Sequence, residues 1–306
     1  MLFMKVAFIT HDIYLEHNPY LQHPESKERL HSIIESIMPI REKLIYHEAI
    51  PASIDQLSTV HTEEHINNIK RSSIKQISID SDTYCSSKSY EAALAAAGAG
   101  ITAINGVLRG EFDRAFCAVR PPGHHATPSR AMGFCLFNNI AITAKYAQSQ
   151  GYKKVMIVDF DVHHGNGTQE IFYDDDTLFY FSTHQAFAYP GTGMENETGI
   201  GKGEGYSANY LVMPDSGDRE ILEIYQNDLP EHIDRFKPDI VLVSAGYDLH
   251  DSDPLAQLNV TTDGIRMIVR SILDKANVPV VFMLEGGYDI AALGLNVRAT
   301  LEEMLI

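Results

Sequence analysis

A chain of 306 residues, 44% hydrophobic and 21% charged, suits one large α/β domain or two small ones and leaves no room for a long disordered tail. Its formal net charge of -17 repels phosphate backbones, which argues against direct nucleic-acid binding and favours cationic ligands. Cys85, Cys117 and Cys135 form no CxxC pair and no even-numbered disulfide set, so a reducing compartment, the cytoplasm, is expected. The opening MLFMKVAFIT is too short for a signal peptide, and no unbroken apolar run reaches 18 residues, so no membrane span is expected.

In chain order, residues 5–10 read as a short buried strand and residues 90–108, rich in Ala and Leu, as a helix. A strand at 115–119 and a helix at 138–150 follow, then strands at 155–159 and 178–182. The last elements are a helix at 219–236 and strands at 240–244 and 278–284. Several of these strands are nearly continuous apolar runs, the pattern of parallel strands covered on both faces. Strand and helix alternate, which predicts an α/β fold with a mainly parallel sheet. The polar chemistry follows the strands. Asp159 and Asp161 come after VMIV, Asp248 after IVLVSAGY, and Glu285 to Tyr288 after VVFML. Ligands of open parallel sheets bind at the carboxyl ends of strands, so these segments should share one site.

The densest cluster of potential ligands is Asp159-Phe-Asp161-Val-His163-His164. If extended, it projects Asp159, Asp161 and His163 to one side. Two carboxylates and an imidazole suit a divalent metal with positions left for water and substrate. Asp248, from a distant segment, is a candidate further ligand. RPPGHHA places His124 and His125 on a rigid Pro-Pro-Gly turn, where a neutral imidazole can act as general base. LEGGY places the Tyr288 phenol on a glycine-rich turn, where it can donate to a developing oxyanion. Phe134 in GFCLFNN and Tyr189 in AYPGTG can wall an aromatic channel for a linear chain ending in an amide.

RPPGHHA, GFCLFNN, DFDVHHGNGTQ, AYPGTG, SAGYD and LEGGYD, in that order, resemble the histone deacetylase and acetylpolyamine amidohydrolase family, nearer its class II-like branch. The resemblance runs from about residue 10 to the C-terminus. It implies one deacetylase domain over residues 1–306 with the arginase–deacetylase fold, an eight-stranded, mainly parallel sheet flanked by helices. It implies one zinc ion held by Asp161, His163 and Asp248, with Asp159 bonded to His124. His125 would be general base and then general acid, with His124 in electrostatic support. Tyr288 would bind the scissile carbonyl. Asn166 stands where some members carry an Asp beside the second histidine.

Family members also bind potassium, which would place one ion near Asp159, Asp161, His163 and Ser182 and a second near Phe172, Asp175 and Leu178. The matching substrate channel comprises Gly133, Phe134, Tyr189, Leu255 and Asp82. Leu255 occupies a position where polyamine-specific members can carry Glu. The implied reaction removes acetyl or related acyl groups from amines, foremost N-ε-acyl-lysine in proteins or peptides. Acetylated polyamines and small N-acyl amines are the alternative substrates. A manganese ureohydrolase would use D-x-H-x-D and a second acidic cluster, for which the chain offers D-x-D-x-H with Asp251 and Asp253. A non-catalytic acyl-lysine binding module would not need both histidines and the tyrosine.

Overall fold

A computed structural model describes residues 4–18 and 23–306. Eight strands form one sheet: β1 (Val6–Thr10), β2 (Leu44–Glu48), β3 (Arg114–Cys117), β4 (Val155–Asp159), β5 (Leu178–Gln185), β6 (Ser207–Val212), β7 (Ile240–Ala245) and β8 (Val280–Leu284). Their order is β2-β1-β3-β8-β7-β4-β5-β6, and every pairing is parallel, where the sequence predicted a mainly parallel sheet. The predicted apolar runs are six of these strands. β2 (LIYHE) and β6 (SANYLV) escape the sequence reading because they are the edges. Both alternate buried with more exposed residues and never form a continuous apolar run.

The helices cover both faces. Ser89–Leu108 and Asn139–Ser149 match the predicted 90–108 and 138–150 within about a residue. The predicted 219–236 helix is interrupted: Asp218–Glu223 passes through one π-turn, Ile224–Asp228, into Leu229–Phe236. Pro230 at the start of that last segment has no N–H for the preceding turn, which permits the wider register. By length and composition Ser89–Leu108 could cross a membrane, and its burial within the fold accounts for that apolar character. It lies so close to its neighbours that a Cβ on Gly98 would sit 1.9 Å from the Ile50 carbonyl oxygen. Gly98→Ala is therefore expected to lower stability by about 1–3 kcal/mol despite alanine's better helix propensity, read as a reduced urea midpoint.

The four middle strands position the site. Cys117 of β3 pairs with Met283 of β8, Met283 with Ser244 of β7, and Ser244 with Asp159 of β4. The segments leaving β3, β8, β7 and β4 therefore start at one level, at the carboxyl edge of the sheet.

Candidate metal centre and active site

Asp161, His163 and Asp248 converge, each offering one donor atom within 4.8 Å of the others. His163 Nδ1 lies 3.2 Å from Asp161 Oδ1 and 3.1 Å from Asp248 Oδ2. A tetrahedral zinc with bonds of about 2.1 Å separates its ligand atoms by about 3.4 Å, so this donor set fits zinc in kind and spacing. The carboxylates are aimed by backbone N–H donors: Gly286 to Asp161 Oδ2 (2.7 Å) and Val162 to Asp248 Oδ1 (3.1 Å). Glycine makes the room. A Cβ on Gly246 would fall 2.0 Å from Asp161 Oδ2, and one on Gly286 2.1 Å from Asp248 Oδ2. Burial, then the neighbouring Asp161 carboxylate, pushes Asp248 up to about 7, a repulsion that a divalent cation relieves.

Asp159 departs from the simple alternation read from the sequence. β4 ends there; the Phe160 N–H still bonds the Ser244 carbonyl (3.1 Å) as the last rung of the ladder, and the chain bends over residues 161–163. Asp159 turns away from the triad. Its Oδ2 lies 3.1 Å from His124 Nδ1 and accepts the Tyr180 hydroxyl (3.1 Å).

The two histidines sit at a ring separation of 4.0 Å with opposite electrostatics. Burial opposes charge on His124, yet Asp159 and Asp161 outweigh it and raise it to about 10. Burial, reinforced by His124 and His163, holds His125 well below the usual imidazole value. The difference follows from their partners. His124 faces a carboxylate, whereas His125 Nδ1 donates to the neutral Asn166 Oδ1 (2.8 Å), which leaves the Nε2 lone pair free. Glu285 holds the turn that carries them, since its Oε2 accepts the N–H groups of Gly123 (2.6 Å) and His124 (3.1 Å).

Tyr288 lines the same cavity as His125. Burial, then Asp248, holds its phenol well above the usual value, so the hydroxyl stays protonated and able to donate. A cavity of about 230 Å³ brings together His125, His163 and Tyr288 with Gly133, Phe134, Tyr189, Leu255 and Asp82. All five predicted channel residues line it. Phe134 meets Tyr288 edge-on at 5.7 Å, and Tyr189 meets His125 edge-on at 5.0 Å. Phe134 adopts φ +67°, a rare conformation for a residue with a side chain and one that marks a constrained site. A wider hollow of about 550 Å³, among Met4, Ile40, Leu305 and Ile306, holds no histidine or carboxylate cluster, so the chemistry belongs to the smaller one.

The residues expected near potassium divide. Ser182 is paired with Asp159 across β4 and β5, and its Oγ bonds His184 Nδ1 (2.9 Å). Phe172, Asp175 and Leu178 lie at the far end of β5, where the Lys145 ammonium bonds Asp175 (3.0 Å) and sits 4.7 Å from the Phe172 ring centroid. Asp251 and Asp253 do not form a second acidic cluster. Asp251 is exposed and bonds Ser252, whereas Asp253 is buried and accepts backbone N–H groups. Among the described residues, only the Asp161–His163–Asp248 group has metal-ligand spacing.

Four charged residues brace the site in a role that the sequence reading did not assign, although it had named Glu285 at a strand end and Asp253 in an acidic pair. They are Asp253, Glu285, Glu25 and Arg29, whose guanidinium donates to the carbonyls of Gly287 (2.8 Å) and Glu285 (2.5 Å). Glu285 carried a usable signal, being the one charged residue of the quoted LEGGY turn.

A parallel α/β sheet whose central carboxyl ends gather three donors of metal-ligand spacing beside an imidazole and a phenol has the equipment of a hydrolase. The histone deacetylase domain matches residues 23–304, and the chain belongs to that family. It is 38% identical to a probable deacetylase of Archaeoglobus fulgidus, over 94% of this chain and 82% of that one. It is 39% identical to "Histone deacetylase 10, chloroplastic" of Oryza sativa subsp. japonica (92% and 70%) and 34% identical to a histone deacetylase-like amidohydrolase of Pseudomonas aeruginosa (93% and 77%). The crystal structure of an HDA15 HD domain superposes with a TM-score of 0.95 at 36% identity, over 99% of this chain and 88% of that one.

Proposed function

We propose that this protein is a zinc-dependent deacylase that removes acetyl or related acyl groups from N-ε-acyl-lysine in peptides or proteins, with one zinc per chain on Asp161, His163 and Asp248. The observation that carries the reading is the shared floor of the cavity, where neutral His125 and protonated Tyr288 face the same space as His163. Bound there, zinc would polarise the amide carbonyl and bring the pKa of water from about 15.7 toward about 7.

The chain's own residues supply the proton traffic. His125 Nε2 takes a proton from the attacking water, while Asn166 holds the ring in the tautomer that leaves this nitrogen free. Tyr288 donates its hydroxyl to the carbonyl oxygen as charge builds there. His124, charged and bonded to Asp159, supplies positive potential behind His125, whose ring it meets at 4.0 Å. His125 then passes its proton to the leaving nitrogen, the C–N bond breaks, and acetate and free amine result.

Three channel features support acyl-lysine as the substrate. Phe134 and Tyr189 suit an alkyl chain, Leu255 leaves that wall without an acid to recognise an internal ammonium, and the rim carboxylate of Asp82 can accept a peptide N–H. The buried free thiols of Cys85, Cys117 and Cys135 support placement in the reducing cytoplasm. A panel of zinc-loaded enzyme with acetyl-lysine peptides, N-acetylputrescine and N-acetylspermidine tests the assignment. We expect the highest kcat/KM on the peptides. A clear preference for the polyamines would reassign the substrate, and tight peptide binding without product would identify a binding module instead.

A further inference from the structure

We propose that Asp253, in the segment between β7 and the helix Thr262–Ala276, is a positioning residue that sets the Tyr288 hydroxyl against the channel. This rests on the role given to Tyr288 above. Asp253 is only 8% exposed, and no cationic side chain among the described residues pairs with it. Its carboxylate is divided between two structures. Oδ1 accepts the N–H of Leu255 (3.0 Å), the channel wall. Oδ2 accepts the N–H groups of Tyr288 (2.6 Å) and Asp289 (3.3 Å), the turn that carries the phenol.

A buried carboxylate without a counter-cation is costly, and a neutral side chain could cap the local loop with less desolvation. The charge is understandable if the turn it holds needs a strong restraint. That turn contains Gly286 and Gly287, the latter at φ +116°, a backbone with many accessible conformations when unrestrained. Arg29 holds its carbonyls from one side and Asp253 holds its N–H groups from the other. The phenol inherits its position from this two-sided grip. At the same time Asp253 fixes Tyr288 relative to Leu255, so the hydroxyl and the wall that guides the acyl chain keep one spacing. Catalytic groups displaced by an ångström can lose about 10²-fold in rate.

The test is a double-mutant cycle on the zinc-loaded enzyme, with kcat, KM, zinc content and thermal midpoint measured throughout. Asp253→Ala should lower kcat by about 10²-fold and change KM by only a few-fold. Asp253→Asn keeps one acceptor oxygen and should recover part of that loss. In a Tyr288→Phe background, Asp253→Ala should cost little further, because the group it positions is already gone. An equal loss in both backgrounds, or full activity in Asp253→Ala beside a disabled Tyr288→Phe, overturns the proposal alone. Full activity in Tyr288→Phe removes the role of Tyr288 and this proposal with it. Should Asp253→Ala not fold, Asp253→Asn carries the same cycle: an intermediate kcat that becomes silent in Tyr288→Phe supports the proposal, and wild-type kcat overturns it.

Discussion

His125→Ala lowers kcat by about 10²–10⁴-fold with zinc still bound at one per chain, the scale of a lost general base. The expectation follows from the unequal histidines. His124 faces the Asp159 carboxylate and is held protonated, so it cannot accept the water proton. His125 bonds an amide oxygen and is buried beside two other imidazoles, so it is neutral and can. Removing it takes away both proton transfers and leaves the donor set of Asp161, His163 and Asp248 in place. Tyr288→Phe should cost about 10²–10³-fold, the scale of one oxyanion donor. Combined, the two substitutions should cost less than the product of the separate losses, since both act on one transition state. Steady-state kinetics with zinc analysis decides it. Undiminished turnover in either variant would reject the acid–base scheme.

Glu25→Ala should lower stability by about 3–5 kcal/mol, the cost of leaving buried charge without its partner. Glu25 Oε1 binds Arg120 Nε (2.5 Å) and Arg29 Nη1 (3.2 Å), and its Oε2 binds Arg120 Nη2 (2.8 Å). The side chains of Glu25, Arg29 and Arg120 are at most 1% exposed. Burial alone would raise the Glu25 carboxyl, but Arg120 foremost outweighs it and holds the group well below the usual carboxylate range. A folded value below the unfolded one of about 4.3 gives stability that is full above that pH and is lost as pH falls toward the folded value. The gap in guanidinium midpoint between wild type and Glu25→Gln should therefore be wide at pH 7 and shrink in acid. A gap independent of pH would refute this linkage. Arg29 also grips the Tyr288 turn, so turnover should fall in this variant even where it remains folded.

The architecture and the site were legible to different depths. Central strands such as β4 and β7 announce themselves because both faces are covered and, Asp159 apart, every residue is apolar or small. The edge strands β2 and β6 carry mixed residues because half of each meets solvent. The ligand run DFDVHH was legible as chemistry, but strand alternation alone assigned Asp159 to the metal. Only the bend over residues 161–163, after the strand has ended at Asp159, shows it serving His124. Apart from Glu285, which stands in the LEGGY turn, the bracing residues were not legible as such. Arg29 reaches carbonyls more than 250 positions away, and Asp253 reaches an N–H 35 positions away. Backbone targets leave no trace in residue type, so a lone acid in a loop reads as a surface charge.

The position of β8 has a consequence for how the molecule comes into being. It is the last strand in the chain, yet it lies between β3 and β7 near the middle of the sheet. As the polypeptide leaves the ribosome, β3 and β7 have no partner for their facing edges until residues 280–284 emerge. The Tyr288 turn and the Glu285 brace arrive at the same moment. In the proposed scheme a nascent chain can therefore hold Asp161, His163 and Asp248 and still lack the phenol that would polarise the substrate. Under that scheme, completion of the site and closure of the sheet are one event, brought about by the final tenth of the sequence.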